Sequence, residues 1–576
     1  MSFLYRKYLI EPNTSRIRTS ILVIITLFII LISNLHNIKD FMHHQYFVYE
    51  QDAYMHLVIA SDLLRQGDWY QHFNPRLNAP FGADTHSWTS AITVLLASGG
   101  LLLSIFMPLS SALYNWSFWL PIIFFAISAW AMLWVINPLK PSASQQFFVL
   151  LAFLFNPFMH SYFIPLRVDY DFFLIPLSII YWGYLLRFMQ TDRISLAITT
   201  AIVASLAVWT SISFMLLLLI GLGFLFGLAL VKHEIRPYSV AVFLLSLCVG
   251  FAVIILLEHR NFLTVAHDVI SIVHLIFVLL LTLTFCLYVL LLQNKNRVTK
   301  TLFAFTAVLA LFLMMNFLFS GFYLGPYNHV DAYLLQHFFP TLSEFYSPFS
   351  IDPSLALAIL SYFLIGAGYC YFLYLQNSLC GTKLFFLSAA TFTILLTIYM
   401  YRWVEFAVPL TIILASFILH EIKHSRLSFQ LISVAILSAL PLFIFSLSND
   451  YFVDSQQLCQ QQFYRMLQDK FLEKPQFKKD NIIFVHSNYG PLLLYSTRYS
   501  IIATNDHHNP EGLKTSLRFF KASNEEAKQL MQQRNVDLIL ICPLEQSTAF
   551  NPQTSSWLKK IPLPSSYSQW QLYQPN

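Results

Sequence analysis

The sequence predicts a polytopic α-helical membrane protein that ends in a small extracytoplasmic α/β domain. Three observations carry this expectation. The chain is 57% hydrophobic and only 11% charged, with a mean hydropathy of +0.60, whereas a soluble chain carries about 25% charged residues. Apolar runs of about 20 residues, enough to cross a bilayer, recur from Ser20 to Phe445. They then stop, and residues 448–576 have an ordinary composition and the length to form a core of their own.

The elements follow in chain order. Arg6, Lys7, Arg16 and Arg18 precede the first run, and the positive-inside rule keeps them in the cytoplasm. No small-residue cleavage site follows, so the run reads as an uncleaved signal-anchor. Spans are expected at 20–36, 113–136, 146–164, 172–190, 194–210, 212–231, 237–257, 269–292, 301–320, 352–375, 384–400, 404–420 and 428–447. A further apolar run, "TSAITVLLASGGLLLSIFM" (89–107), would make fourteen spans and invert every loop after it. With that run left out, the loops holding Lys140, Arg187 and Arg193, Lys232 and Arg236, Lys295, Arg297 and Lys300, Lys383, and Lys423 and Arg426 share the side of the N-terminus, a consistent positive-inside pattern. Segment 89–107 is therefore expected to lie along or re-enter the interface, with Gly99-Gly100 breaking its helix. Thirteen spans place the loops 37–112, 165–171, 258–268 and 321–351, and residues 448–576, on the outer side. The setting that fits is a bacterial inner membrane with a periplasmic C-terminal domain. No internal repeat or low-complexity tract is present.

In the tail, 481–485, 499–504 and 536–542 read as strands, and 511–522 and 524–535 as helices. The second helix has Ser523 as N-cap and acids in its first turn. Cys459 and Cys542 both lie in this tail. They pair if it faces an oxidising compartment and stay as thiols if it does not.

Four polar clusters fall on the outer side: Glu50, Asp52 and His56 in "YEQDAYMHL"; Asp169 and Asp171, with Arg167, in "IPLRVDYDFFLIPL"; His329, Asp331, His337 and Glu344 in the long loop 321–351; and Arg402 and Glu405 in "YRWVEFAVP". Taken singly, each acid suits a helix cap or a snorkelling charge. Their convergence on one membrane face argues for a site. Carboxylates without Cys or clustered His ligands suit a hard divalent ion, Mg2+ or Mn2+, and a planar guanidinium such as Arg402 suits a phosphate. His507 and His508 in "NDHHN" read as a structural loop, because adjacent histidines rarely complete a metal site.

The order of these features resembles the GT-C glycosyltransferases, and within them the catalytic subunit of oligosaccharyltransferases. The features are an acid after the first span (Asp52), Asp-x-Asp after the third (Asp169, Asp171), "TLSE" ending in Glu344 within a long outer loop, Arg402 in "YRW", and "NYG" in a soluble tail. The resemblance covers essentially the whole chain with short, degenerate motifs, and it implies thirteen spans with a non-spanning helix after the first-loop acid. It implies Asp52 as an acid touching metal and acceptor, Asp169 as a metal ligand with Asp171 close by, Glu344 as an acid touching metal and acceptor, and Arg402 as the ligand of the lipid-linked donor phosphate. The family's Trp-Trp-Asp-Tyr-Gly, which reads Asn-x-Ser/Thr acceptors, is reduced here to "HSNYG", leaving Asn488 and Tyr489 as acceptor-contact candidates and sequon reading in doubt.

The expected activity is metal-assisted, inverting transfer of a sugar or oligosaccharide from a polyprenyl-phosphate or -pyrophosphate donor to a glycan, lipid or protein acceptor. Membrane lipids are expected as partners, and nucleic acid is not. The alternatives are a protein N-oligosaccharyltransferase, a sibling enzyme that glycosylates lipid or polysaccharide, and a transporter or flippase. Against a transporter stand the absence of an inverted repeat and charges lying at one face instead of the midplane.

Overall fold

The computed structural model describes residues 16–43, 46–48, 50–232, 234–292, 295–327, 330–420, 425–447, 455–474, 477, 481–543 and 550–576. His329 lies outside them. The chain is a multi-pass α-helical membrane protein with a C-terminal sheet domain. Nine helices among the described residues are long and apolar enough to cross a membrane, and a tenth arises if Leu22–Ser33 and Leu35–Met42, bent by 60°, form one broken span.

The remaining three expected spans are helical but short. Segment 146–164 divides into Ala143–Leu154 and Pro157–Tyr162, because Asn156 caps the second piece by accepting from the N–H groups of Phe158 and Met159, with Pro157 at the first helical position. Ile194–Thr210 and Phe214–Leu230 are also shorter than the spanning helices. At 1.5 Å per residue a 17-residue helix is about 25 Å long, less than the hydrocarbon core.

Segment 89–107 forms the 14-residue helix Ser90–Leu103, capped by Thr89. The expected break at Gly99-Gly100 is absent, and the helix runs straight through the pair. The glycines instead admit a neighbour. A Cβ on Gly99 would collide with the Trp116 indole, which donates to the Leu95 carbonyl at 2.9 Å. Close helix packing, not a bend, explains why small residues stand there.

Among the described residues, the tail carries five of the seven strands. β1 (Phe73–Asn74) and β2 (Ala83–Asp84) form an antiparallel pair between the helices Gln51–Gln66 and Ser90–Leu103. β3 (Ile482–Phe484), β4 (Ser500–Ile501), β5 (Leu538–Ile541), β6 (Leu558–Ile561) and β7 (Gln571–Pro575) make a sheet of order β4-β3-β5-β7-β6. β3 pairs in parallel with β4 and β5, while β7 runs antiparallel to β5 and β6. The helices Pro510–Phe519 and Asn524–Gln533 lie between β4 and β5, and Ser523 accepts from the Glu526 N–H as its sequence position implies. β5 is buried at all four positions, as a strand paired on both sides must be. Cys459 and Cys542 form a disulfide with Cα atoms 6.2 Å apart, fastening the helix Ser455–Gln468 to the end of β5.

The segment between the helices Gln51–Gln66 and Ser90–Leu103 docks onto this sheet as an added edge. Ile501 donates to the Arg76 carbonyl at 2.8 Å, and Ala79 donates to the Ile501 carbonyl at 3.0 Å. Arg76 also donates to the Thr497 and Leu494 carbonyls at 2.8 and 2.9 Å. Main-chain pairing at an open edge joins two segments directly, and here it ties the segment before Ser90–Leu103 to the C-terminal domain.

Candidate active site

Glu50 is extended and precedes the helix Gln51–Gln66, and Asp52 lies in that helix's first turn, where a carboxylate suits the positive end of the helix dipole. Asp169 arrives from the loop before the helix Asp171–Thr191. Leu166 adopts φ 68° there, a left-handed conformation unusual for a branched residue, and Val168 donates back to the Leu166 carbonyl at 2.9 Å. This tight turn aims Asp169 inward, where it is 7% exposed. One carboxylate oxygen each from Glu50, Asp52 and Asp169 falls within a 4.8 Å group.

Burial raises the Asp52 carboxyl well above the usual carboxylate range, reinforced by the charges of Glu50, Glu344, Asp506 and Asp171. Asp169 is raised likewise by burial and by Asp171, Asp52 and Glu50. Burial and crowded negative charge are offset by positive charge brought among such acids, and three convergent carboxylates supply the hard oxygen donors of Mg2+ or Mn2+. The residues therefore fit a divalent cation. His56 approaches Asp169 at 4.0 Å, but burial drops its pKa to about 3, so it stands there as a neutral imidazole.

Arg167, without a role in the sequence reading, organises the cluster. Its guanidinium donates to Glu50 Oε2 at 2.9 Å, to the Ser161 carbonyl at 2.7 Å and to Asp171 Oδ2 at 3.5 Å. The two acids of Asp-x-Asp thus divide, with Asp169 in the three-carboxylate group and Asp171 on Arg167. Glu344 sits in the turn Ser343–Phe345. Its charge acts on Asp52, and its own pKa is raised by burial against the lowering pull of Arg402, but it stands outside the three-carboxylate group.

Arg402 donates to the Tyr327 hydroxyl at 2.8 Å and to the Tyr170 hydroxyl at 3.0 Å. Two phenols at the two ends of the fork fix the guanidinium plane. Asp52, Asp169 and Arg402 line one cavity of about 230 Å3, together with Trp88 and Trp209 and with Asp506, His507 and His508 from the C-terminal domain. Trp88 Nε1 donates to Asp506 at 3.1 Å, and Trp209 Nε1 donates to Glu258 at 2.6 Å. Glu258 also accepts from the Ser90 N–H at 3.0 and 3.3 Å, capping the short helix Ser90–Leu103. Both indoles are thereby held by carboxylates, a support that no motif in the sequence signals.

The acceptor-contact candidates do not line the cavity. Tyr489 is 2% exposed, and its ring packs on Phe463 and Trp570 in the domain core. Asn488 accepts from Asn505 at 2.9 Å, beside the loop that reaches the cavity.

No protein-family model and no curated protein matches this chain. Solved structures do. The archaeal oligosaccharyltransferase AglB from Archaeoglobus fulgidus, in complex with an inhibitory peptide and a dolichol-phosphate, superposes with a TM-score of 0.65 at 12% identity, covering 91% of this chain and 69% of that one. The chain has the oligosaccharyltransferase fold. The same Archaeoglobus fulgidus enzyme tethered to an acceptor peptide containing the NVT sequon gives 0.66 at 13% identity over 92% and 70%. Its complex with Zn and sulfate gives 0.60 at 14% over 90% and 67%.

Proposed function

We propose that the protein is an integral-membrane glycosyltransferase that moves a sugar or oligosaccharide from a polyprenyl-phosphate or -pyrophosphate donor to an acceptor at the outer membrane face. The observation that carries this reading is the meeting, in one cavity, of the Asp52 and Asp169 carboxylates with the Arg402 guanidinium. A carboxylate set beside a phosphate-shaped fork is what substitution at an anomeric carbon bearing a phosphate requires. The kinship in fold to a structure bound to a dolichol-phosphate supports the lipid-linked donor.

The acceptor heteroatom forms a bond to the anomeric carbon, the bond from that carbon to the phosphate oxygen breaks, and its electron pair leaves with the phosphate. Asp52 orients the acceptor and takes its proton. Arg402, its plane set by Tyr327 and Tyr170, binds the departing phosphate through parallel N–H groups. Glu50, Asp52 and Asp169 would hold a divalent cation, Mg2+ or Mn2+, with Glu344 and Asp171 adding negative charge around them; when bound, that ion supplies electrostatic stabilisation of the developing negative charge. Attack from the face opposite the phosphate inverts the anomeric centre. The Cys459–Cys542 disulfide supports an oxidising, extracytoplasmic setting for the C-terminal domain, and with the loop charges it supports a cytoplasmic N-terminus in a bacterial inner membrane.

The test compares surface glycans and glycolipids by mass spectrometry in cells carrying the wild-type gene, no gene, or Asp169→Ala. The expected result is a glycan present only with the wild type, while the variant accumulates in the membrane with unchanged folding. Identical profiles in all three would remove the transferase reading, and turnover retained in Asp169→Ala would remove the metal role of that residue.

A further inference from the structure

A second group of ligating side chains reaches the same cavity from the C-terminal domain, and the transfer described above does not use it. Asp506, His507 and His508 each offer one ligand atom, all within 4.8 Å of one another. We propose that Asp506, His507 and His508 form a second cation site, selective for Zn2+ and similar transition ions, with Asp268 as the residue that orients it. This inference does not depend on the transferase reading.

The donor chemistry differs from that of the carboxylate group. Two imidazoles and one carboxylate suit a borderline ion such as Zn2+, and three protein ligands with an open fourth position form the usual composition of a reactive zinc site. The geometry agrees. His508 Nδ1 lies 3.0 Å from Asp506 Oδ1, and two ligands of a tetrahedral ion bound at about 2.0–2.1 Å sit about 3.3–3.4 Å apart, so a shift of a few tenths of an ångström admits the ion. The other nitrogen, His508 Nε2, meets Asp268 Oδ2 at 2.8 Å. A carboxylate on the far nitrogen is the outer-sphere partner that fixes the orientation of a ligating histidine.

The remaining contacts define what the site offers. One oxygen of Asp506, Oδ2, accepts from Trp88 Nε1 at 3.1 Å and Ser87 Oγ at 3.4 Å, while Oδ1 faces His508 Nδ1 and also accepts the His508 backbone N–H at 2.9 Å. His507 Nε2 is buried and has no hydrogen-bond partner among the described residues, a condition that calls for an explanation in a folded protein. Charge points the same way. Two carboxylates, Asp268 and Asp506, face one histidine, and a proton on His508 neutralises only one of them. A divalent ion at Nδ1 neutralises both and releases that proton.

The experiment uses the full-length chain purified in detergent and stripped with a chelator. It is titrated with Co2+ alone and followed by visible absorption, which is intense for a tetrahedral nitrogen–oxygen site and weak for a six-coordinate all-oxygen site. The expected result is an intense band in the wild type and in Asp52→Asn/Asp169→Asn. The band is lost in His508→Ala and in His507→Ala, excess Mg2+ does not displace the ion, and Asp268→Asn weakens binding by about 10–100-fold. His507→Ala removes no hydrogen bond of the described structure, so it keeps the test valid if His508→Ala fails to fold. No intense band in the wild type overturns the proposal and leaves His508 as an imidazolium bridge only. A band that survives both histidine variants, or that vanishes with the Asp52/Asp169 pair, also overturns it. An intact band alongside unchanged cellular glycans refutes the transferase reading and leaves this site standing.

Discussion

Replacing Arg167 by methionine exposes the electrostatic logic of the carboxylate cluster. Arg167 is the direct ion-pair partner of both Glu50 and Asp171, and its side chain is only 18% exposed. Methionine preserves the apolar stem over Tyr162, whose ring centroid lies 5.1 Å from the guanidinium carbon, and removes the charge and three hydrogen bonds. Breaking a buried pair from one side costs about 3–5 kcal/mol, because the other partner is left as an uncompensated charge. In chelator, Arg167→Met is therefore expected to unfold about 3 °C below the wild type, because the unfolding entropy of so long a chain makes each kcal/mol worth only about 1 °C. A cation among Glu50, Asp52 and Asp169 replaces part of the lost positive charge. At about 100 times its dissociation constant, binding contributes about 2.7 kcal/mol to the folded state. Thermal unfolding with and without Mn2+ reads both effects. The variant is expected to be the less stable protein in chelator and to gain more from Mn2+ than the wild type does. Equal stability in chelator, or equal Mn2+ shifts, refutes the view that Arg167 balances a cation-seeking acid cluster.

Three further outcomes follow from other parts of the site. Arg402→Lys keeps the charge but cannot reach both Tyr170 and Tyr327, so undecaprenyl phosphate binding measured by native mass spectrometry is expected to weaken about tenfold or more; unchanged affinity removes Arg402 from the donor site. Glu258→Gln turns one acceptor oxygen into a donor facing the Ser90 N–H or the Trp209 indole, costing about 1.5–3 kcal/mol. It should appear as a lowered Tm with altered Trp209 emission, and neither change would mean that Glu258 is not the cap of Ser90–Leu103. Replacing Cys459 and Cys542 by serine opens a loop of sequence separation 83. The loss of about 4 kcal/mol is readable as protease sensitivity of the C-terminal domain, and an unchanged digestion rate refutes a stabilising role.

The sequence alone determined the features that depend on chain-local physics. Long apolar runs must become helices in lipid, because every backbone N–H and C=O needs a partner there, so the polytopic architecture and the point where it ends were legible. So was the strand–helix alternation between β3 and β5. The C-terminal β6 and β7 went unread, because "LKKI" and "QLYQP" carry little apolar alternation and join the sheet by β7 pairing with β5 and β6 pairing with β7.

At the site, Asp52, Asp169, Asp171, Glu344 and Arg402 stood out because charges bordering hydrocarbon are costly and therefore visible. Only the tertiary structure decided how they are shared out. Glu50 joined Asp52 and Asp169, Arg167 took Asp171, and Tyr489 went into the core. Asp268 met a histidine 240 positions further along the chain, and the Trp88 and Trp209 indoles were tied to acids. Pairings of this kind arise between segments that meet only after folding, and a local pattern cannot encode which carboxylate a distant imidazole or guanidinium will find.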